Sequence, residues 1–286
     1  MKCKVEKSKI TGQIICPSNK SYTHRAIFLA SLAGNNSKVD NALLSADTAA
    51  TIDACKKFGA VIKTQNSTII AENPIKLDVN VPEINTENSG TTIRIASGIA
   101  SLFSNEITLT GDESLQKRPM QPLLDALESI GAQCDSTDGK PPIKIKGKIL
   151  GGNVSIPGNL SSQFVSALLI SAPLTEKGIN LTIEGNLVSK PYLDATIATM
   201  RKFGVTVQTL IPYKKYNITP QIYKSATFTV PIDFSSLGLL LSAVVLNGED
   251  VIIKGNLGDL PQGDEVFLDI LEQLGVSVTI NDDEIK

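Results

Sequence analysis

The chain is poor in the residues that build metal centres and thiol chemistry. It has a single histidine, His24, and its four cysteines (Cys3, Cys16, Cys55, Cys134) are scattered without C-x-x-C spacing. That stock argues against a Cys/His zinc site, and the cysteines read as reduced cytosolic thiols. There is no long Lys/Arg run and the net charge is -2, which excludes a general nucleic-acid binder because no phosphate-backbone footprint is available. Any anion binding must come from a few placed cations. The longest apolar runs, 164–174 and 237–246, fall short of the ~20 residues that span a bilayer and read as buried helices. The opening MKCKVEKSKI alternates charged and apolar residues, with no hydrophobic region of a signal peptide. No Ser/His/Asp triad, H-E-x-x-H or Walker-type loop occurs. With 286 residues, 42% of them hydrophobic and 20% charged, the chain reads as soluble, globular and long enough for about two domains.

Its most informative positive feature is a period. Stretches 50–61, 123–133, 195–205 and 267–276 each carry an amphipathic helical pattern closed by a glycine: Gly59, Gly131, Gly204 and Gly275. These glycines lie roughly 72 residues apart, too far for common solenoid units and long enough for a supersecondary module. A glycine at that point suits a left-handed helix C-cap. Each module opens with a polar cluster that runs into a helix rich in small and apolar residues, over 18–33, 88–103, 160–174 and 233–246. Such helices, apolar almost all round, are expected to be buried on several sides. Strands are expected over 38–44, 106–110, 179–184 and 250–254, with further strand-like segments at 143–146, 153–157 and 227–231 and a turn at Asp138-Gly139. The pattern is a repeated βαβαββ-like unit. Three copies run from about residue 14 to 232; the fourth reads as cut short after a strand at 276–280, its closing strands lacking.

The polar clusters fall at the same end of each first helix. They are Ser18, Asn19, Lys20 and Ser21 with His24 and Arg25; Asn88, Ser89, Gly90 and Thr91 with Arg94; Ser161, Ser162 and Gln163; and Asp233, Ser235 and Ser236. Plain capping accounts for Ser, Asn and Asp at helix starts. It does not account for Lys20 and Arg25, since cations near a helix N-terminus oppose its dipole unless an anion is present. Several such N-termini brought together would hold phosphate or carboxylate. Arg94, inside an apolar helix, is costly to bury unpaired, and Arg118 is a further cation of this kind. Ser189, just ahead of Pro191, reads either as a helix cap or as a ligand contact, and Tyr192 as a half-buried aromatic. Asp47 reads first as an N-cap, and His24 as structural.

At these residues the chain resembles the EPSP synthase (3-phosphoshikimate 1-carboxyvinyltransferase) family. The motifs are PSNKSYTHRA (17–26), LLSADT (43–48), NSGTTIR (88–94), KRPMQPLLDAL (117–127), SSQF (161–164), SKPYLDAT (189–196) and PQGD (261–264), in order along the whole chain. Tyr-Thr-His in the first motif resembles the archaeal branch. The resemblance implies an α/β enolpyruvate transferase fold of repeated βαβαββ units, helices inside and sheets outside. It implies one complete domain at 14–232, binding 3-phosphoshikimate, and a partial second one from 1–13 and 233–286. The implied reaction transfers the enolpyruvyl group of phosphoenolpyruvate to the 5-hydroxyl of 3-phosphoshikimate, by addition and elimination, without metal or organic cofactor. The implied setting is the cytoplasm, with small-molecule substrates, no nucleic acid, no membrane and a monomer when full length.

Carried onto this sequence, 3-phosphoshikimate would meet Lys20, Ser21, Arg25, Ser161, Ser162, Gln163 and Ser189. Phosphoenolpyruvate would meet Lys20, Gly90, Arg118 and Gln163, with Asp47, Asn88, Arg94 and Tyr192 as neighbours. Lys20 is the one residue here with a catalytic claim, because the family's other acid–base groups lie in segments further along than Lys286; a chain of this length alone is expected to be inactive. Two alternatives stay open. One is a substrate-binding fragment without turnover. The other is UDP-N-acetylglucosamine enolpyruvyl transferase, whose loop cysteine has no counterpart in GDESLQK (111–117).

Overall fold

The computed structural model describes residues 3, 4, 6, 9–281 and 283–286; residues 1, 2, 5, 7 and 8 of the expected 1–13 segment lie outside it. Four helices open the modules: α1 (Lys20–Ala33), α3 (Gly90–Ala100), α5 (Ser162–Ser171) and α7 (Phe234–Asn247). Their N-caps are Asn19, Ser89, Ser161 and Asp233, each side chain accepting a backbone N–H of the first turn. Four amphipathic helices follow: α2 (Ala46–Lys57), α4 (Gln121–Ser129), α6 (Lys190–Lys202) and α8 (Val266–Gln273). The periodic glycines end them in the left-handed region, at φ 93°, 116°, 79° and 83° for Gly59, Gly131, Gly204 and Gly275, as the C-cap reading required. Asp47 is not a cap. Ser45 caps α2 through a capping box with Thr48, which places Asp47 in the first turn, where its charge suits the dipole.

Four four-stranded sheets share one plan, a parallel pair extended by an antiparallel hairpin. β9 (Gly152–Pro157) runs parallel to β10 (Ile179–Glu184), which is followed outward by β12 (Lys215–Ile218) and β11 (Gln208–Ile211). Likewise β5 (Glu83–Asn85) pairs with β6 (Ile107–Thr110), then β8 (Lys140–Lys146) and β7 (Gln133–Thr137). Asp138 and Gly139 both have positive φ in the β7–β8 turn, the conformation a tight Asp-Gly hairpin demands. Along β8 buried and exposed residues alternate, so one sheet face covers the helices and the other meets solvent.

The two remaining sheets exchange a strand. β1 (Ile10–Ile15) leads into α1 but pairs with β14 (Gly248–Lys254), beside the short strands β16 (Glu284–Ile285) and β15 (Ile280–Asn281). β13 (Thr227–Thr229) leads towards α7 but pairs with β2 (Ser37–Asp40), in the sheet with β4 (Thr68–Asn73) and β3 (Val61–Gln65). The connections cross side by side, with Asn19 N–H on Pro231 O and Asp233 N–H on Pro17 O, both at 2.8 Å. The crossing lies just beyond Ile15, so the expected boundary after residue 13 falls inside β1. The fourth sheet also carries a closing hairpin that the sequence pattern did not reveal. Its strands are two residues each, too short for an alternation signal, and they replace the single strand expected over 276–280.

Buried residues form two cores. One spans Tyr22 to Val230; the other gathers Cys16, Ile232, Phe234, Leu237, Leu241, Ile253, Leu271 and Ile285. In the first, α1, α3 and α5 are buried nearly all round. A side chain at Gly98 of α3 would lie 2.6 Å from the Ala167 carbonyl oxygen of α5. In the second, α7 leaves Leu239 and Leu246 exposed, because no like helix flanks it among the described residues. None of the described helices is long and apolar enough to cross a membrane.

A polar clasp ties the two bodies at the crossing. Asn19 Nδ2 donates to Asp233 Oδ1 (2.8 Å) and Gln262 Oε1 (2.7 Å), while Gln262 Oε1 also accepts from Phe234 N–H (3.1 Å) and its Nε2 donates to Ile232 O (2.8 Å). One glutamine thus holds the Asn19 cap directly and the backbone on either side of the Asp233 cap. Gln262→Ala strands several part-buried donors and acceptors at once, and should lower stability by about 1–3 kcal/mol. Urea unfolding measures this; a loss below about 0.5 kcal/mol, the ordinary surface value, would show the clasp to be idle.

Candidate active site

The starts of α1, α3 and α5 converge on one cleft of about 410 Å³. From α1 come Lys20 and Ser21; from the start of α3, Asn88, Gly90, Thr91 and Arg94; from α5, Ser161, Ser162 and Gln163. Asp47 of α2, Arg118 ahead of α4, and Ser189 and Tyr192 of α6 complete the wall. Three helix N-termini carry free N–H groups and partial positive charge to this point. Three cations, Lys20, Arg94 and Arg118, face a single carboxylate, Asp47, which Lys20 Nζ meets at 2.9 Å. A neighbouring groove of about 490 Å³ beside α6 is roomier, but its two cations, Arg201 and Lys202, are matched by two carboxylates, Asp194 and Asp259; Lys202 lies 4.0 Å from Asp259 and the Tyr213 hydroxyl donates to Asp194.

The two arginines are held by amides. Arg94 Nη1 donates to Gln163 Oε1 (2.6 Å) and its guanidinium sits 5.3 Å from the Phe164 ring centre. Gln163 Nε2 donates in turn to Thr91 Oγ1 (3.1 Å), and Arg118 Nη2 to Asn88 Oδ1 (2.7 Å). Burial first, then repulsion from Arg118, pushes Arg94 down to about 10, still charged at neutral pH. Neither guanidinium has a carboxylate partner among the described residues, so their charge is free to meet an anion. They meet over Gly90. A Cβ there would lie 2.6 Å from Arg118 Nη1 and 3.1 Å from Arg94 Nη1, so the absence of a side chain is what lets both reach the mouth of α3.

Arg25 does not line this cleft. It is 1% exposed and lies beneath the floor, with Nε on Thr196 Oγ1 (2.7 Å), Nη1 on Ser21 O (2.9 Å) and Nη2 on Tyr192 O (3.1 Å). All its acceptors are neutral, and burial holds it down at about 10. It orders two wall residues by their backbone. Ser189 makes no capping hydrogen bond and has φ 56°. That left-handed backbone is strained for a residue with a Cβ, a kind of strain that clusters at ligand sites, and Ser189 lines the cleft. His24 lies on the buried side of α1, facing α2, with Nδ1 2.6 Å from Thr51 Oγ1; burial drives it down to about 3, so it is neutral. Thr91, part of the second polar cluster but given no ligand role by the resemblance, also lines the wall, as does Leu160, an apolar residue that no site signal marks. No group of three or more His, Cys, Asp or Glu side chains able to hold a metal occurs among the described residues.

Comparison with known proteins gives this geometry a context. The family model for EPSP synthase (3-phosphoshikimate 1-carboxyvinyltransferase) matches residues 5–286. A 3-phosphoshikimate 1-carboxyvinyltransferase of Nitrosopumilus maritimus (strain SCM1) is 83% identical over 286 residues, covering 100% of this chain and 68% of the relative. One from Methanosphaera stadtmanae is 40% identical over 296 residues, covering 100% of this chain and 69% of that protein. Among solved structures, an EPSP synthase from Acinetobacter baumannii superposes with a TM-score of 0.80 at 25% identity, over 97% of this chain and 63% of that one. The enolpyruvyl transferase NikO from Streptomyces tendae shares the fold, with a TM-score of 0.69 at 16% identity over 97% of this chain and 65% of that one. The chain thus spans about two thirds of the length of these relatives.

Gly90→Ala should push the two guanidiniums apart and weaken uptake of a phosphate-bearing anion by about tenfold, one charge-assisted contact in magnitude; calorimetry with unchanged affinity would separate Gly90 from the site. His24 carries a pH signature of its own. The unfolded chain takes up a proton below about pH 6.5, whereas the folded protein resists until about 3. Stability attributable to this group is therefore complete above pH 6.5 and drains away as pH falls, by about 1.4 kcal/mol per unit. Urea midpoints between pH 6 and 4 should fall more steeply for the parent protein than for His24→Gln; parallel slopes would contradict the buried neutral ring.

Proposed function

Because this chain belongs to the EPSP synthase (3-phosphoshikimate 1-carboxyvinyltransferase) family, we propose that its cleft holds 3-phosphoshikimate beside phosphoenolpyruvate for transfer of the enolpyruvyl group. The observation that carries this reading is the convergence of three helix N-termini and three cations against one carboxylate. Two anions set side by side repel, and fixed cations and N–H donors must offset that repulsion before any bond can form. Ser161, Ser162, Ser189 and Ser21 offer hydroxyls to the sugar-like ring and its phosphate. Gly90 and Arg118, with Gln163 between the arginines, form the station for phosphoenolpyruvate. Tyr192 supplies a wall, and Arg25 acts from beneath through Ser21 and Tyr192 rather than by contact.

In the transfer, the 5-hydroxyl oxygen bonds to the substituted carbon of phosphoenolpyruvate and loses its proton, while the methylene carbon gains one. Elimination then returns a proton from that carbon and releases phosphate, so no electrons are exchanged with any cofactor. Lys20 stands where both substrates meet and serves the charge that moves between them. The one carboxylate in the cleft, Asp47, is already engaged with Lys20, and the one histidine is buried and neutral. These residues therefore hold and orient; shuttling both protons calls for further groups. That observation favours substrate holding as the role of residues 1–286 taken by themselves. The net charge of -2 and the lack of a long Lys/Arg run favour small anions over nucleic acid as ligands; a monomer in the cytoplasm is what the family resemblance implies. The UDP-N-acetylglucosamine reading has no loop cysteine to rest on.

Lys20→Ala should weaken 3-phosphoshikimate binding by about 1.5–3 kcal/mol, the scale of a charge-assisted hydrogen bond, while shikimate without its phosphate binds both proteins poorly. Titration calorimetry decides it, and equal affinity of the two proteins for 3-phosphoshikimate would remove Lys20 from the site.

A further inference from the structure

One turn below the cleft floor, a buried chain of side-chain hydrogen bonds crosses three helices. His24 Nδ1 lies 2.6 Å from Thr51 Oγ1, Thr51 Oγ1 is 2.7 Å from Thr92 Oγ1, and Thr92 Oγ1 is 2.6 Å from Ser89 Oγ. All four residues are at most 1% exposed. His24 stands four residues after Lys20 on α1, and Thr51 four residues after Asp47 on α2. The buried rung His24–Thr51 therefore repeats, one helical turn deeper, the pairing of Lys20 with Asp47 at 2.9 Å in the cleft. At its far end Ser89 is the N-cap of α3, with Gly90 the first helical residue after it. The chain thus joins the three backbone segments that carry Lys20, Asp47 and Gly90.

Stability does not explain the ring. His24 Nε2 finds no hydrogen-bonding partner among the described residues, and an unsatisfied buried nitrogen costs free energy that an apolar side chain would avoid. What the imidazole supplies is direction: Nδ1 fixes the Thr51 hydroxyl, and with it the axial register of α2 on α1. Apolar packing tolerates small axial slips, whereas a bond of 2.6 Å does not. A slip of even a fraction of an ångström would reach Lys20, Asp47 and Gly90 together, and positioning at such sites is sensitive on that scale.

We propose that the His24–Thr51–Thr92–Ser89 chain is the positioning device of the anion cleft, with His24 setting the register of Lys20, Asp47 and Gly90 without touching ligand. The inference rests on the cleft being the 3-phosphoshikimate site, and the test separates the two. His24→Leu and Thr51→Val, singly and together, are compared with the parent protein by calorimetry with 3-phosphoshikimate, by urea unfolding, and by the backbone amide resonances of Lys20 and Gly90. Each single variant should weaken binding about fivefold to tenfold, one hydrogen bond's worth, with little loss of stability. The double variant should bind no worse than the weaker single, since both remove the same link. His24→Gln, which restores a hydrogen-bonding group, should recover most of the affinity. Unchanged affinities, or losses that multiply in the double variant, would overturn the device. Should the parent protein itself fail to bind 3-phosphoshikimate, the functional reading falls. The register then stands on the resonances alone: Lys20 and Gly90 amides shifted in His24→Leu support it, and unmoved amides refute it.

Discussion

The close approach of α3 to α5 at Gly98 and Ala167 is the constraint on which the rest depends. With 2.6 Å between the Ala167 carbonyl oxygen and any Cβ at Gly98, the two backbones touch with nothing between them. Helices packed that closely leave room inside only for small or apolar side chains and for polar ones that bond to each other, so α3 and α5 are buried nearly all round and the sheets take the solvent side. It also brings their polar starts into one place. Ordinary capping residues that would be unremarkable singly become a cleft because core packing aims three helix ends at the same volume.

Charge follows from that geometry. Cations at a helix N-terminus work against the dipole, and here Lys20, Arg94 and Arg118 gather at three of them with one carboxylate between them. Asp47 offsets Lys20 alone, and the two arginines have no carboxylate partner among the described residues. Amides and an aromatic ring hold the guanidiniums instead, since Asn88, Gln163 and Phe164 fix their direction without cancelling their charge. The unfilled attraction is left for anions. Below the floor, Arg25 and His24 show the complementary use of burial: Arg25 holds the backbone of Ser21 and Tyr192, and His24 the hydroxyl of Thr51.

The sequence made the period, the caps and the candidate residues legible because those signals are local. A glycine in the left-handed region, a serine accepting a first-turn N–H, or an Asp-Gly turn depends on neighbours a few residues away. Depth and pairing are not local. Nothing in PSNKSYTHRA tells that Arg25 lies under the floor while Lys20 stands in the cleft; five residues on a buried helix turn one up and the other down. Strand pattern says nothing of which sheet a strand joins, so the placing of β1 with the later residues came through the resemblance alone, and the pairing of β13 with β2 of the first unit was not read at all. The fourth hairpin was too short to show. Ser45 went unread as the α2 cap because its box partner is Thr48 rather than glutamate. The buried hydroxyl chain left no trace, its threonines being ordinary helix residues until three helices meet.

The exchanged strands also set an order of events during synthesis. β1 is made long before its partner, which begins at Gly248, and the register ends with Ile15 beside Lys254. At about 5–20 residues per second, the strand waits on the order of tens of seconds with its edge open. β2 likewise stays unflanked on one side until Thr227–Thr229 emerge. The first core therefore cannot close its own sheet until Thr229 is made, directly ahead of Ile232 and Phe234, where the second core resumes. The two bodies are separate in their packing and joined in their birth.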